Sequence, residues 1–143
     1  MRQTVFVTCF LVAAAALAKA PTTKIVVDGG GLKQSVEIVS PRVLEVSNVW
    51  FGHMFDETKP ALATAPADAT RFRLRFFANF GRGEENVYTL IYEPNPRGAG
   101  YLFLPKNDRN QGSILRKGRD GKWSYAAPDW ENLIKPEILR AAR

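Results

Sequence analysis

Apolar and polar residues alternate most clearly between residues 71 and 76. Three arginines alternate there with three apolar residues, in the order Arg71, Phe72, Arg73, Leu74, Arg75 and Phe76. A period of two residues is typical of a strand whose successive side chains point to opposite faces of a sheet. The pattern therefore predicts a strand with guanidinium groups on one face and apolar side chains on the other.

Shorter segments with strand character lie on both sides of this strand. They cover residues 24–28, 35–39, 87–93, 101–104 and 122–126. Turn-forming residues separate several of them, including three consecutive glycines at 29–31, the sequence Gly81-Arg82-Gly83, and Asp120-Gly121. Consecutive strands joined by short turns pair in antiparallel fashion, so the segments predict a meandering antiparallel sheet.

Two helices complete the predicted fold. Ser40 is a favoured N-cap and Pro41 suits the first helical position, which predicts a short helix from 41 to about 47. A C-terminal helix is predicted from Pro128, with Pro136 interrupting or restarting it. Residues 59–70 are rich in Ala and Pro and predict a surface loop. The fold class is α+β: an antiparallel sheet with short helices, including the C-terminal one, packed on one face or edge.

The first residues of the chain differ from the rest. Arg2 precedes an apolar run over 5–17, and Ala16-Leu17-Ala18 has the small-x-small spacing that precedes signal peptidase cleavage. This predicts a cleaved signal peptide over 1–18 and a single globular domain over 19–143. The run is shorter than the about 20 residues of a spanning helix, although an uncleaved anchor is the alternative. We therefore expect export to the periplasm or the extracellular space, with no transmembrane span after cleavage.

Removal of the signal peptide also changes the composition. The single cysteine, Cys9, would be lost, so the mature domain is expected to contain no disulfide. The net charge falls from +6 to about +5, because Arg2 is the only charged residue removed. A basic exported domain favours an anionic glycan, a lipid headgroup or an envelope protein as its partner. Nucleic acid is not expected outside the cytoplasm, and a charge that serves only solubility is the alternative.

No motif predicts a catalytic site, a metal site or a cofactor. His53 is the only histidine, and its neighbourhood is rich in aromatic residues, which favours a place in the core. The alternative is a small secreted hydrolase that uses His53 as a general base near Asp56. Residues 108–112 match the first part of a calcium loop, but no acidic residue follows where the last ligand is needed. A polar turn is therefore expected there.

The arginine strand is the leading candidate for a binding surface. Tyr88 and Tyr92 of the next strand share one face, and the register decides which one. In one register they lie beside Arg71, Arg73 and Arg75 and form an arginine–aromatic platform for anionic or sugar ligands. A slip of one residue sends both tyrosines into the core. Trp123 and Tyr125 carry the same ambiguity, and a merely solvated face is the alternative for the arginines.

Three short segments give the chain a family resemblance. They are Gly29-Gly30-Gly31-Leu32, Tyr101-Leu102-Phe103-Leu104-Pro105, and Gly121-Lys122-Trp123-Ser124-Tyr125-Ala126 followed by Pro128 and Trp130. In these segments the chain resembles small exported bacterial proteins of an uncharacterised family. The resemblance implies an exported single domain and assigns no catalytic residue. The sequence thus predicts a non-enzymatic binding or interaction module for an anionic, carbohydrate or envelope partner.

Overall fold

The computed structural model describes residues 20–48, 53–67, 69–106 and 119–143. The predicted signal peptide and Lys19 lie outside these ranges. The elements in chain order are β1 (Thr22–Gly29), β2 (Val36–Ile38), α1 (Pro41–Val46), β3 (Phe72–Asn79), β4 (Glu84–Glu93), β5 (Tyr101–Phe103), β6 (Trp123–Tyr125) and α2 (Pro128–Ala141). The predicted strands and helices within the described ranges are all present, some with shifted ends.

The strands form one antiparallel sheet in the order β2-β1-β3-β4-β5-β6. From β3 to β6 each strand pairs with the next one in the chain, which is the predicted meander. The first strand instead lies between β2 and β3 and pairs with both. The α+β fold class predicted from the sequence is confirmed.

The glycines at 29–31 reverse the chain between β1 and β2, as predicted. The amide of Leu32 donates a hydrogen bond to the carbonyl of Gly29 at 3.0 Å. Gly29, Gly30 and Gly31 have φ angles of 82°, 59° and 80°, a region that glycine occupies readily because it has no Cβ. Gly30 has a second constraint, since a Cβ there would overlap the ring of Phe72.

One face of the sheet carries the hydrophobic core and both helices pack over it. The alternation in β3 points Phe72, Leu74 and Phe76 into this core, where each is at most 2% exposed. The C-terminal helix contributes Trp130, Ile134 and Ile138, which are also buried. Full burial of a side chain of this size contributes about 1.5–3 kcal/mol, so the apolar face of α2 holds the helix on the sheet.

The helix ends depart from the sequence-based expectations in two details. The last helix continues through Pro136 to Ala141 instead of being interrupted there. Pro136 is exposed, while Ile134 and Ile138 on either side are buried, so core packing compensates for the hydrogen bond that proline removes. Ser40 precedes α1 as predicted, but its side chain makes no capping hydrogen bond.

The predicted surface loop is attached to the edge of the sheet. Before the loop, the amide of Asp56 donates to the carbonyl of Tyr125 at 2.9 Å. Within it, the amide of Leu62 donates to the carbonyl of Trp123 at 2.8 Å. These bonds occupy two carbonyl groups at the outer edge of β6, which would otherwise be open to pairing with another chain.

Candidate functional site

The three arginines of the alternating strand lie on the sheet face opposite the helices. We call the side chains on this side of β1, β3, β4, β5 and β6 the arginine face. Arg73 is the pairing partner of Asp28 in β1 and of Ile91 in β4, and these residues share the face because directly opposed residues point the same way. The prediction that the arginines oppose the core is therefore confirmed.

Two carboxylates hold the three guanidinium groups in place. Arg73 Nε donates to Asp28 Oδ1 at 2.8 Å, and Arg75 Nη2 lies 3.2 Å from Asp28 Oδ2. Arg71 Nε donates to Glu93 Oε2 at 2.7 Å, and the Glu93 side chain is only 3% exposed. These five side chains together carry one positive charge, and Arg73 keeps 55% of its side chain exposed.

Four aromatic side chains extend the arginine face across the last two strands. Tyr101 opposes Tyr125 with ring centroids 5.5 Å apart, and Phe103 opposes Trp123 at 5.2 Å. All four are half-buried, and we call these two pairs the aromatic rows. The sequence already indicated that Tyr101 and Phe103 face away from the core, because they alternate with Leu102 and Leu104. Both leucines are buried, and alternate residues of a strand point to opposite faces.

Two cations lie over the aromatic rows. The Cζ atom of Arg71 is 4.7 Å from the ring centroid of Trp123, and Lys59 Nζ is 4.6 Å from that of Tyr125. A cation at this distance is attracted by the negative face of the ring. The buried carboxylate of Glu93 and the indole of Trp123 thus fix the position of the Arg71 guanidinium between them.

Tyr88 and Tyr92 do not belong to the arginine face. Tyr92 opposes Phe72 and Tyr88 opposes Phe76, so both tyrosines share the core face and are fully buried. The Tyr88 ring stacks on Phe76 at a centroid distance of 4.2 Å. The structure therefore corrects their candidate assignment as ligand-binding residues: the register is the one that sends both into the core.

Each buried tyrosine has a hydrogen-bond acceptor in the core. Tyr88 donates to the carbonyl of Ser47 at 3.0 Å, and Tyr92 donates to Glu131 Oε1 at 2.6 Å. Burial raises the pKa of Tyr88 well above its ordinary value. Burial, and then the neighbouring carboxylate of Glu131, raise the pKa of Tyr92. Their role is structural.

His53 is exposed, although its sequence neighbours suggested a place in the core. Met54 and Phe55 are buried, whereas the nearby Trp50 and Phe51 lie outside the described residues. The carboxylate of Asp56 accepts hydrogen bonds from Thr58 and lies 3.7 Å from Lys59 Nζ. The hydrogen bonds from Thr58 lower its pKa. Asp56 is thus bound by Thr58 and Lys59 within its own turn.

The parts of the chain that the structure describes contain neither a metal-binding cluster nor a membrane-spanning helix. No group of three or more His, Cys, Asp or Glu residues there could hold a metal ion. Residues 108–112, where the sequence predicted a polar turn, lie outside these parts. No described helix is long and apolar enough to cross a membrane.

Two cavities adjoin the aromatic rows. One of about 420 Å³ is lined by Trp123, Gly121, Lys122 and residues 61–65. The other, of about 260 Å³, is lined by Tyr101, Glu93, residues 94–97 and two alanines of the 59–70 loop. The aromatic rows thus have a concave space beside each of two rings, which is the kind of place where small ligands bind.

Comparison with known proteins finds no protein-family model, no curated protein and no solved structure that matches this chain.

Proposed function

We propose that this protein is an exported, non-enzymatic binding module whose arginine face and aromatic rows bind an acidic polysaccharide. Export rests on the predicted signal peptide. The observation that supports this class of ligand is the contact between Arg71 and Trp123, in which the guanidinium Cζ lies 4.7 Å from the ring centroid. The buried carboxylate of Glu93 binds the same guanidinium. A guanidinium held in this way needs no reordering to meet a ligand, which lowers the entropic cost of binding.

The chemistry of the face suits a sugar. A sugar ring has an apolar face of C–H groups and a rim of hydroxyl groups. The half-buried ring of Tyr101 offers a flat apolar surface for the first, together with a hydroxyl group at its edge. Lys59 and Arg71, which lie over the aromatic rows, carry N–H groups that can donate hydrogen bonds to the second.

The charge of the face favours an acidic sugar over a neutral one. Three guanidinium groups face two carboxylates, so the local balance is positive, as is the chain as a whole. The planar fork of arginine matches the two oxygens of a carboxylate. Arg73 is the most exposed of the three and is the expected contact for a sugar carboxylate.

The distribution of exposed apolar side chains favours a polysaccharide over a lipid bilayer. Among the described residues, the strongly exposed large apolar side chains are Val39 and Leu139, and neither belongs to β3, β4, β5 or β6. The aromatic rows are half-buried against one another. A surface that inserts into lipid needs a larger exposed apolar patch.

The test is binding of the protein to a soluble polyuronic acid, measured by isothermal titration calorimetry at low salt. Replacing Arg71, Arg73 and Arg75 together with Ser should weaken binding at least about tenfold, a loss of about 1.4 kcal/mol. The matched control replaces the exposed Arg42, Arg140 and Arg143 with Ser, which removes the same charge elsewhere. Binding in the control should change by less than about twofold, after correction for net charge by a salt series.

A second variant guards against misfolding of the first, since Arg71→Ser leaves Glu93 buried without its partner. Trp123→Ala keeps all three arginines and should also weaken binding. Unchanged binding in both variants would contradict the proposal. An equal loss in the Arg42/Arg140/Arg143 control would show that the loss of binding comes from net charge alone and would also contradict the proposal. Binding to anionic lipid vesicles without binding to the polyuronic acid would contradict it as well.

A further inference from the structure

The turn between β4 and β5 is tied to the aromatic rows by the side chain of Asn95. Its Nδ2 atom donates to the carbonyl of Ala99 at 3.3 Å and to the hydroxyl of Tyr101 at 3.4 Å. Its Oδ1 atom accepts the amide of Arg97 at 3.0 Å. A proline on each side of Asn95 fixes two further φ angles. The backbone of Arg97 therefore has a defined position close to Tyr101.

This turn forms one side of the smaller of the two cavities beside the aromatic rows. Residues 94–97 line the cavity together with Tyr101 and Glu93. Glu93 and Tyr101 oppose each other in β4 and β5, so their side chains lie next to one another on the arginine face. Pockets that enclose drug-sized ligands measure about 300–1,000 Å³. The volume of about 260 Å³ therefore suits a single sugar unit better than several.

The two charged side chains of this cavity differ in what they already bind. The carboxylate of Glu93 is buried and accepts the Nε–H of Arg71 at 2.7 Å. The side chain of Arg97 is exposed, and no salt bridge joins it to another residue in the described part of the chain. Its planar fork of N–H donors therefore stays open to a carboxylate from a ligand.

We infer that this cavity binds one uronic acid unit of the polysaccharide and that Arg97 pairs with the carboxylate of that unit. This inference rests on the proposed function and adds to it the residue that distinguishes an acidic unit from a neutral one. The Tyr101 ring packs against the C–H face of either kind of sugar, so it contributes equally to both. Only an acidic unit gains affinity from Arg97, which makes Arg97 the specificity-determining residue of the cavity.

The first experiment compares two polymers that differ in charge. One is a polyuronic acid, and the other is its carboxyl-reduced form, in which a hydroxymethyl group replaces each carboxylate. In calorimetric titrations, Arg97→Gln should weaken binding of the polyuronic acid at least about fivefold and change binding of the reduced polymer less than about twofold.

The matched control for this experiment is Arg82→Gln. It removes the same charge from an exposed arginine in the turn between β3 and β4. At the same ionic strength, this control should change neither affinity by more than about twofold. Arg82 and Arg97 are both exposed, so the two variants should unfold at nearly the same temperature as the unaltered protein.

A second variant separates packing on the ring from charge. Tyr101→Leu keeps Arg97 but removes the flat aromatic surface. It should weaken binding of both polymers by the same factor, at least about threefold. Binding is measured well below the unfolding temperature of this variant, so that the folded forms are compared.

The outcomes distinguish this inference from the proposed function. Equal losses for the two polymers in Arg97→Gln, or no loss for either, would overturn the inference. An equally large loss in Arg82→Gln would overturn it too, and so would a loss confined to the polyuronic acid in Tyr101→Leu. The proposed function still stands in each case if the triple arginine variant loses binding. No binding of the polyuronic acid by the unaltered protein would contradict the proposed function itself, and the inference with it.

Discussion

Glu131 is a buried carboxylate that joins α2 to the sheet. Its side chain accepts the hydroxyl of Tyr92 at 2.6 Å and the amide of Gly100, which lies 3.0 Å from both oxygens. Glu131 is 6% exposed, and a buried charge is tolerated only when such bonds replace its water. A Cβ at Gly100 would overlap Glu131, so the glycine is needed for this close approach.

The two buried tyrosines differ in their hydrogen-bond acceptors. Tyr92→Phe removes a bond to a charged group and should lower the free energy of unfolding by about 1.5–3 kcal/mol. Tyr88→Phe is the matched control, because its hydroxyl bonds the neutral carbonyl of Ser47 and should cost only about 0.5–1.5 kcal/mol. Urea unfolding measures both. A smaller loss for Tyr92→Phe than for Tyr88→Phe would contradict the role given to Glu131.

The same burial predicts how stability depends on alkaline pH. Both tyrosines have a raised pKa in the folded state, so they stay protonated in the fold where they would ionise in the unfolded chain. Their contribution is fully present below about pH 10, the ordinary pKa of tyrosine, and is lost as the pH rises above it. The free energy of unfolding should therefore fall above about pH 10. A smaller fall is expected in the Tyr88→Phe/Tyr92→Phe double variant, and an equal fall would assign the loss to other groups.

Among the elements, the turn between β1 and β2 depends on one close contact. Gly30 and Gly31 both have positive φ, so alanine at either position costs about 1–2 kcal/mol in backbone strain. Only at Gly30 does an added Cβ overlap the Phe72 ring, whereas nothing lies within 4 Å of one at Gly31. Gly30→Ala should therefore destabilise the protein more than Gly31→Ala by about 1–3 kcal/mol in thermal or urea unfolding. Equal losses of stability in the two variants would show that the Phe72 ring moves aside without cost and would contradict this role of Gly30.

The sequence predicted the elements better than their contacts. The alternation from Arg71 to Phe76 is enough to predict which face of the strand is buried, because three apolar side chains on one side require a core there. The face of Tyr88 and Tyr92 did not follow from their own strand, since pairing between β3 and β4 decides it, and a register shift lies between Phe76 and Phe77. The pattern of residues within one strand does not predict which residues of the neighbouring strand it pairs with.

Nonlocal packing explains the other differences. Pro136 is a helix breaker by local rules, yet the buried residues on both sides of it keep α2 continuous. The attachment of Leu62 to Trp123 joins residues far apart in the chain, so composition alone identified the loop but not its place beside the aromatic rows. The sequence therefore predicted the face on which the arginines lie, left the face of Trp123 and Tyr125 open, and did not single out Tyr101 and Phe103.

At the scale of the whole molecule, the sheet separates structure from the proposed binding function. The helices and buried tyrosines occupy one face, and the paired arginines with the aromatic rows occupy the other. Substitution of Arg73, the most exposed of the three arginines, should thus alter binding with little effect on folding. Export, which the sequence predicts from residues 1–18, would bring this face to polysaccharides outside the cytoplasm.

The most direct test of this account is an NMR titration of the isotope-labelled mature domain with an acidic hexasaccharide. We expect the amide shifts of β5, β6 and residues 61–67, and the indole N–H of Trp123, to change together and to saturate. The amides of α2 should stay in place, because that helix lies on the other side of the sheet. Changes concentrated on α2, or the absence of any saturable change, would contradict the assignment of the arginine face as the binding surface.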